Sequence, residues 1–301
     1  MSVGKSGKKV RSPNPRRSLD AESQVLRTID KIADAGGLLP GGYFDQRVIL
    51  ELYQTIRSSG TGGEKGLLED TWLGGDGELF KPRRWYDTTP RFRKYMLLYG
   101  IKGDANTHRP LTIWTGKDMI EASRSSDKPL AKTLHKNMTD RLRRLLGTGE
   151  FGFWFNIENS NKAPYALHAH GLLYVRDPRY LVRPSDERTA LVRELRLASG
   201  DDLSTDKKKR IMTANNWVKF APKQLNTGWI DYCRKARRGR LFRVSAPEPP
   251  KDIGVRLEAG THNLTRQASE FYSRARLLFR GMADGSIERW SKEDWESVSG
   301  K

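Results

Sequence analysis

The chain is short of several things, and each shortage removes a class of protein. One cysteine, Cys233, stands in 301 residues, so no internal disulfide can form. No run of 18 apolar residues is present, which leaves no candidate membrane-spanning helix and argues against membrane binding. The first residues carry charge without an apolar core, which is unlike a secretory signal; with the lone thiol this leads us to expect a reducing cytoplasm. Acidic residues are also scarce, 36 against 55 lysines and arginines, giving a net charge of +19 and a pI near 10.0. Such an excess points to a polyanionic partner, nucleic acid above all. The glycine-rich stretch 60–66 lacks a Gly-Lys-Ser/Thr ending, and no strand precedes it, so it reads as a linker and not as a phosphate loop. No helicase module is encoded in these residues.

What is present centres on residues 151–176, FGFWFNIENSNKAPYALHAHGLLYVR, two apolar strands around a polar loop. Side chains alternate along a strand, so His168 and His170 face one way, roughly 7 Å apart, close enough to hold one ion. Glu158 closes the preceding strand, and a hairpin brings its carboxylate to the two imidazoles. Three protein ligands with open positions suit several divalent metals. A cupin would need a glutamate shortly after the second histidine, where Leu173 and Tyr174 stand, and the His-x-Asp pattern of an iron oxygenase is absent. Metal-assisted phosphoryl transfer remains.

A second group lies in residues 229–238, WIDYCRKARR, a helical stretch with Asn226 or Thr227 as its N-cap. Tyr232 and Lys235 sit three apart and share a helix face, so a phenol can attack while an ammonium holds a phosphate oxygen. A Tyr-x-x-Lys match alone is unspecific. A second copy, Tyr99 and Lys102 in YMLLYGIK, alternates like a strand, which would turn the pair to opposite faces.

Glu158 with His168-Ala169-His170, followed by Tyr232-Cys233-Arg234-Lys235, resembles the HUH endonuclease superfamily over about residues 91–240. A tyrosine that follows the histidine pair is the order of single-tyrosine rolling-circle replication initiators; relaxases have it before. The resemblance implies an α+β palm of RRM-like form, a central antiparallel sheet of about five strands with flanking helices. It implies Mg²⁺ or Mn²⁺ on Glu158, His168 and His170, with Tyr232 as nucleophile and Lys235 beside it. The implied partners are single-stranded DNA, origin DNA and a host helicase acting in trans, and the implied activity is nicking and joining that starts replication of a plasmid or phage. The family's first motif, a short strand ending in threonine or serine, is met loosely by residues 95–99. Two other readings stand beside it: a transposase or relaxase-type strand transferase, and a basic binding protein without catalysis.

Around this core the expected plan has four parts: a basic disordered arm over 1–19, a helical extension over 20–90, the endonuclease domain over 91–245 and a helical extension over 246–301. Apolar spacing predicts helices at 21–35, 44–56, 130–146, 185–197 and 263–282, and strands at 95–101, 111–115 and 211–220. Arg141, Arg143 and Arg144 near the end of one helix serve its dipole or touch DNA. The run from Lys207 to Arg210 is a solvated face or a substrate contact, and residues 247–250 read as a linker. Trp217 reads as a core residue. His108, His135 and His262 read as surface or capping residues, and Tyr272 lacks a lysine three positions on.

Overall fold

The computed structural model describes residues 15–59, 82–101, 106–126, 128–159, 167–201, 217–221, 225–234 and 257–300. Two nine-residue strands form its centre, β2 (Phe151–Asn159) and β3 (Leu167–Val175), paired antiparallel so that Glu158 lies opposite His168 and Phe155 opposite Gly171. On the far side of β3 lies β1 (His108–Trp114), with Thr112 opposite His170. Short strands complete the edges, β4 (Val218–Phe220) against β1 and β5 (Glu258–Gly260) against β2. The order is β4-β1-β3-β2-β5, every pair antiparallel.

Alternation gives the sheet two unlike faces. Leu111, Ile113, Phe153, Phe155, Ile157, Ala169, Leu173 and Val175 point to one side, and all are buried. Phe151, Phe153 and Phe155 form a stacked ladder along β2 with ring centroids 6.4 and 6.0 Å apart. Two helices contribute to the same apolar cluster, α5 (Leu130–Leu146) and α6 (Asp186–Ala198). Leu130, Leu134, Met138 and Leu142 recur every four residues, one helical turn, and so form a continuous buried stripe. Truncating a side chain such as Leu134 to alanine would cost about 2–5 kcal/mol. α5 stops at Gly147, whose φ of +94° only glycine adopts without strain. Ser185 caps α6 by accepting a hydrogen bond from the Arg188 N–H, with Asp186 and Glu187 in the first turn. Gly171 carries no side chain because a Cβ there would sit 1.9 Å from the Trp154 carbonyl oxygen.

The other helices are α1 (Pro15–Asp34), α2 (Gln46–Ser59), α3 (Pro90–Ile101), α4 (Lys117–Ser125), α7 (Thr227–Tyr232), α8 (His262–Ala283) and α9 (Lys292–Ser299). The chain divides into two units, one of residues 1–38, 44–92 and 273–301, the other of 39–43 and 93–272. The second holds the sheet. In the first, Val25, Ile29, Ile32, Ile49 and Tyr53 are buried, and Glu22 accepts hydrogen bonds from the backbone and hydroxyl of Thr89 at 2.7 and 2.6 Å. Among the described residues no helix is long and apolar enough to cross a membrane.

Several expectations change. Residues 95–101 are helical, within α3, and every one is buried, so the run is apolar on all sides and has no helical stripe to read. α1 begins at Pro15, inside the stretch expected to be an arm, of which residues 1–14 lie outside the described residues. β5 lies beyond residue 245, where the catalytic domain was expected to end. The expected strand over 211–220 is described only at 218–220, and residues 207–210 and 247–250 also fall outside the described residues. His108 is 1% exposed, not a surface residue. Trp217 is a core residue, with its Nε1–H donating to Ser199 Oγ at 2.8 Å.

Candidate active site

The second face of the sheet carries the polar side chains, and the register decides which of them meet. One row crosses all five strands: Lys219, Thr112, His170, Asn156 and Glu258. The neighbouring row places Trp114, His168 and Glu158 side by side. Glu158, His168 and His170 are 0%, 7% and 6% exposed, and their ligating atoms all lie within 4.8 Å of one another. The two Nε2 atoms are 2.8 Å apart, and Glu158 Oε2 is 3.8 Å from His170 Nε2. Neighbouring ligands around an ion with bonds of about 2.1 Å stand roughly 3.0–3.4 Å apart, so the donor set fits one divalent metal ion with little adjustment. Two neutral imidazoles and a carboxylate also leave coordination positions open. Among the described residues this is the one such cluster.

Thr112 orients the set. Its Oγ1 lies 2.8 Å from His170 Nδ1, which turns Nε2 toward His168; with the proton on Nδ1 and donated to Thr112, Nε2 presents its lone pair. The Trp114 ring lies 4.8 Å from the His168 ring and screens it.

One cap and two bonds to the sheet fix the tyrosine helix on this face. Asn226 caps α7 by accepting from the Trp229 N–H at 3.0 Å. The Trp229 indole N–H donates to the Gly171 carbonyl at 2.7 Å, and the Asn156 carboxamide donates to the Cys233 carbonyl at 3.0 Å. Tyr232 sits between the last two anchors, its ring 5.2 Å from Trp229 in a stacked arrangement and 5.0 Å from His170 edge to face. It is nonetheless 43% exposed, whereas the next residue, Cys233, is fully buried. The sequence thus brings Glu158, His168, His170 and Tyr232 together. Lys235 lies outside the described residues. Tyr99 does not join them: it is buried within α3 and stacks on Phe271 at 6.2 Å. Lys102, its motif partner, lies outside the described residues.

No family model, curated protein or solved structure matches the chain.

A cleft of about 360 Å³ opens beside the triad, lined by Thr112, His170, Arg183, Lys219, Phe220, Ala221, Trp229 and Tyr232. At the far end of the polar row, Lys94 pairs with Glu258 at 2.7 Å and lies 5.2 Å over the Trp154 ring. Burial holds the Lys94 ammonium below its usual range, although Glu258 pulls the other way. β1 is followed by Thr115, whose hydroxyl donates to the Leu167 carbonyl at 2.9 Å; residues 95–99, matched loosely to a strand ending in threonine, are helical instead. Thr112, Asn156 and Trp229 escaped the sequence reading. Thr112 and Asn156 share strand parity with the ligands opposite them, a signal that becomes readable only once the register is known. His135 Nε2–H donates to the Gly260 carbonyl at 3.1 Å, and His262 is exposed at the start of α8.

Proposed function

We propose that the protein nicks and rejoins single-stranded DNA through a tyrosine nucleophile, as an initiator of rolling-circle replication related in design to the HUH endonucleases. The observation that carries this reading is the exposed Tyr232 ring lying 5.0 Å from His170 in a buried Glu158, His168, His170 cluster. A protein that only bound nucleic acid would have no use for three converging metal ligands beside a solvent-accessible phenol. Held by those ligands, Mg²⁺ or Mn²⁺ would supply positive charge to a nonbridging oxygen of the scissile phosphate.

Tyr232 Oη attacks phosphorus in line. The Oη–P bond forms as the P–O3′ bond breaks, the phenol proton passes to solvent and the departing 3′-oxygen takes one up. The products are a 5′-phosphotyrosyl link and a free 3′-hydroxyl, which can prime synthesis, and the reverse reaction joins ends. A neutral phenol is a weak nucleophile, so its activation depends on nearby positive charge. Lys235, three positions on in sequence, is the residue we assign to a phosphate oxygen. Origin DNA and a host helicase complete the proposed partners, and the chain's single, buried thiol suits a reducing compartment.

The test is adduct formation. Incubated with Mn²⁺ and a pool of single-stranded oligonucleotides that includes the origin strand, the protein should become covalently linked to DNA at Tyr232. Tyr232→Phe should bind DNA normally and form no adduct, and Tyr99→Phe should form it as the wild type does. An adduct mapped to any other residue, or none with the origin strand, would overturn the proposal.

A further inference from the structure

The cleft beside Tyr232 is lined on one side by cations that have no carboxylate. Arg183, from the segment before α6, and Lys219, on the edge strand β4, are both exposed, and among the described residues neither is in an ion pair. Two carboxylates that flank Arg183 in sequence pair elsewhere: Arg179 binds Asp177 at 2.7 Å and Glu187 at 3.4 Å. Behind them Arg188 is buried, its guanidinium carbon 4.8 Å over the Phe220 ring and its Nη1 donating to the Leu181 carbonyl at 2.6 Å. Burial, and after it the charges of Arg183 and Arg109, hold Arg188 below its usual range, the mark of a cationic cluster with little local compensation.

The opposite wall is apolar and aromatic. Trp229 is half-buried and fixed by its bond to Gly171, and the floor is Thr112 and His170. A volume of about 360 Å³ falls within the roughly 300–1,000 Å³ of small-ligand sites. Cations on one wall and a ring on the other match a nucleotide, with its phosphate toward the cations and its base or sugar toward the ring.

We infer that this cleft is a subsite for the nucleotide next to the scissile phosphate, its phosphodiester gripped by Arg183 and Lys219 and its base or sugar covering Trp229. Its role rests on the proposed nuclease reading; its chemistry does not. By holding one neighbouring phosphate, the subsite sets which phosphate of a flexible strand stands between His170 and Tyr232. Register along the strand thus becomes a property of two exposed side chains.

Binding is measured with the full chain, a fluorescent single-stranded DNA oligonucleotide and a chelator, so that no nicking occurs. The Arg183→Ala/Lys219→Ala double variant should lose about tenfold or more in affinity. Its log–log salt slope should flatten by about 0.7, the share of the one phosphate that the two cations hold. Lys128→Ala/Lys132→Ala, a charge-matched double variant exposed around the start of α5, should change affinity by less than about twofold. Equal losses in the two doubles would reveal a diffuse charge effect and overturn the inference. Inorganic phosphate should displace the strand from wild type no better than chloride at the same ionic strength; specific displacement would make the cleft a free-anion site and also overturn it. A loss confined to Arg183→Ala/Lys219→Ala in a protein that forms no adduct would uphold the subsite and sink the nuclease reading instead.

Discussion

The carboxamide of Asn156 donates a hydrogen bond to the main-chain oxygen of Cys233, 3.0 Å away, and so ties the residue that follows Tyr232 to the strand that carries Glu158. The bond is buried on both sides. It has a counterpart four residues earlier, where the Trp229 indole holds the Gly171 carbonyl. The phenol is therefore fixed from two points while its own ring stays open to solvent.

Replacing Asn156 by leucine keeps the volume and removes the donor. We expect the rate of adduct formation in a single turnover to fall by about tenfold or more, because small displacements of a nucleophile are costly. Affinity for Mn²⁺ and for single-stranded DNA should stay within about twofold of wild type, since neither the ligands nor the cationic wall is touched. An unchanged adduct rate would show that the bond to Cys233 does not position Tyr232.

The triad's capacity to hold a metal ion makes a prediction independent of catalysis. Titration calorimetry should detect one Mn²⁺ per chain, and an ion concentration about 100 times Kd should stabilise the fold by about 2.7 kcal/mol, read as a higher Tm. In His168→Ala/His170→Ala both the heat of binding and the rise in Tm should vanish, while salt-dependent DNA binding persists. If Mn²⁺ stabilises the double variant as it does the wild type, the ion binds elsewhere.

Lys94 carries a pH dependence whose sign follows from burial. Its folded value lies below the unfolded 10.5, so between the two the unfolded chain binds more protons, and stability must rise with pH across that window. Below the window the cost of the buried ammonium is fully present. Lys94→Met/Glu258→Gln removes the charges and keeps the stem over Trp154. Urea midpoints measured from neutral pH toward 10.5 should rise for wild type relative to this variant; parallel profiles would mean that Lys94 titrates as it does in water.

How far the sequence reveals this arrangement depends on how far each residue's environment is local. The helix over 130–146 has the bounds its apolar stripe predicts, because one face of α5 packs and the other does not. The histidine pair and Glu158 were readable because strand parity alone sets which side chains share a face. α3 was misread because burial of every residue from Tyr95 to Ile101 erases the period that separates helix from strand. α4 went unseen because Gly116 precedes it, with no side-chain cap to announce its start. β5 is only Glu-Ala-Gly, a strand by virtue of the β2 edge that receives it and not by its own composition. The anchors Asn156 and Trp229 belong to contacts between elements 77 and 58 residues apart, which no local pattern encodes.

The two-faced sheet also makes the strands intolerant of a change in length. Ala169 is packed in the apolar cluster while its neighbours on either side belong to the triad that could hold a metal ion, so odd and even positions of β3 do different jobs. Deleting Ala169 would turn one imidazole toward the Phe153 and Phe155 ladder and leave the other in the triad, unmaking the core and the centre in one event. Substitutions can retune this protein one position at a time, but its central strands can gain or lose residues only in pairs, and then only where the hairpin partner shifts with them.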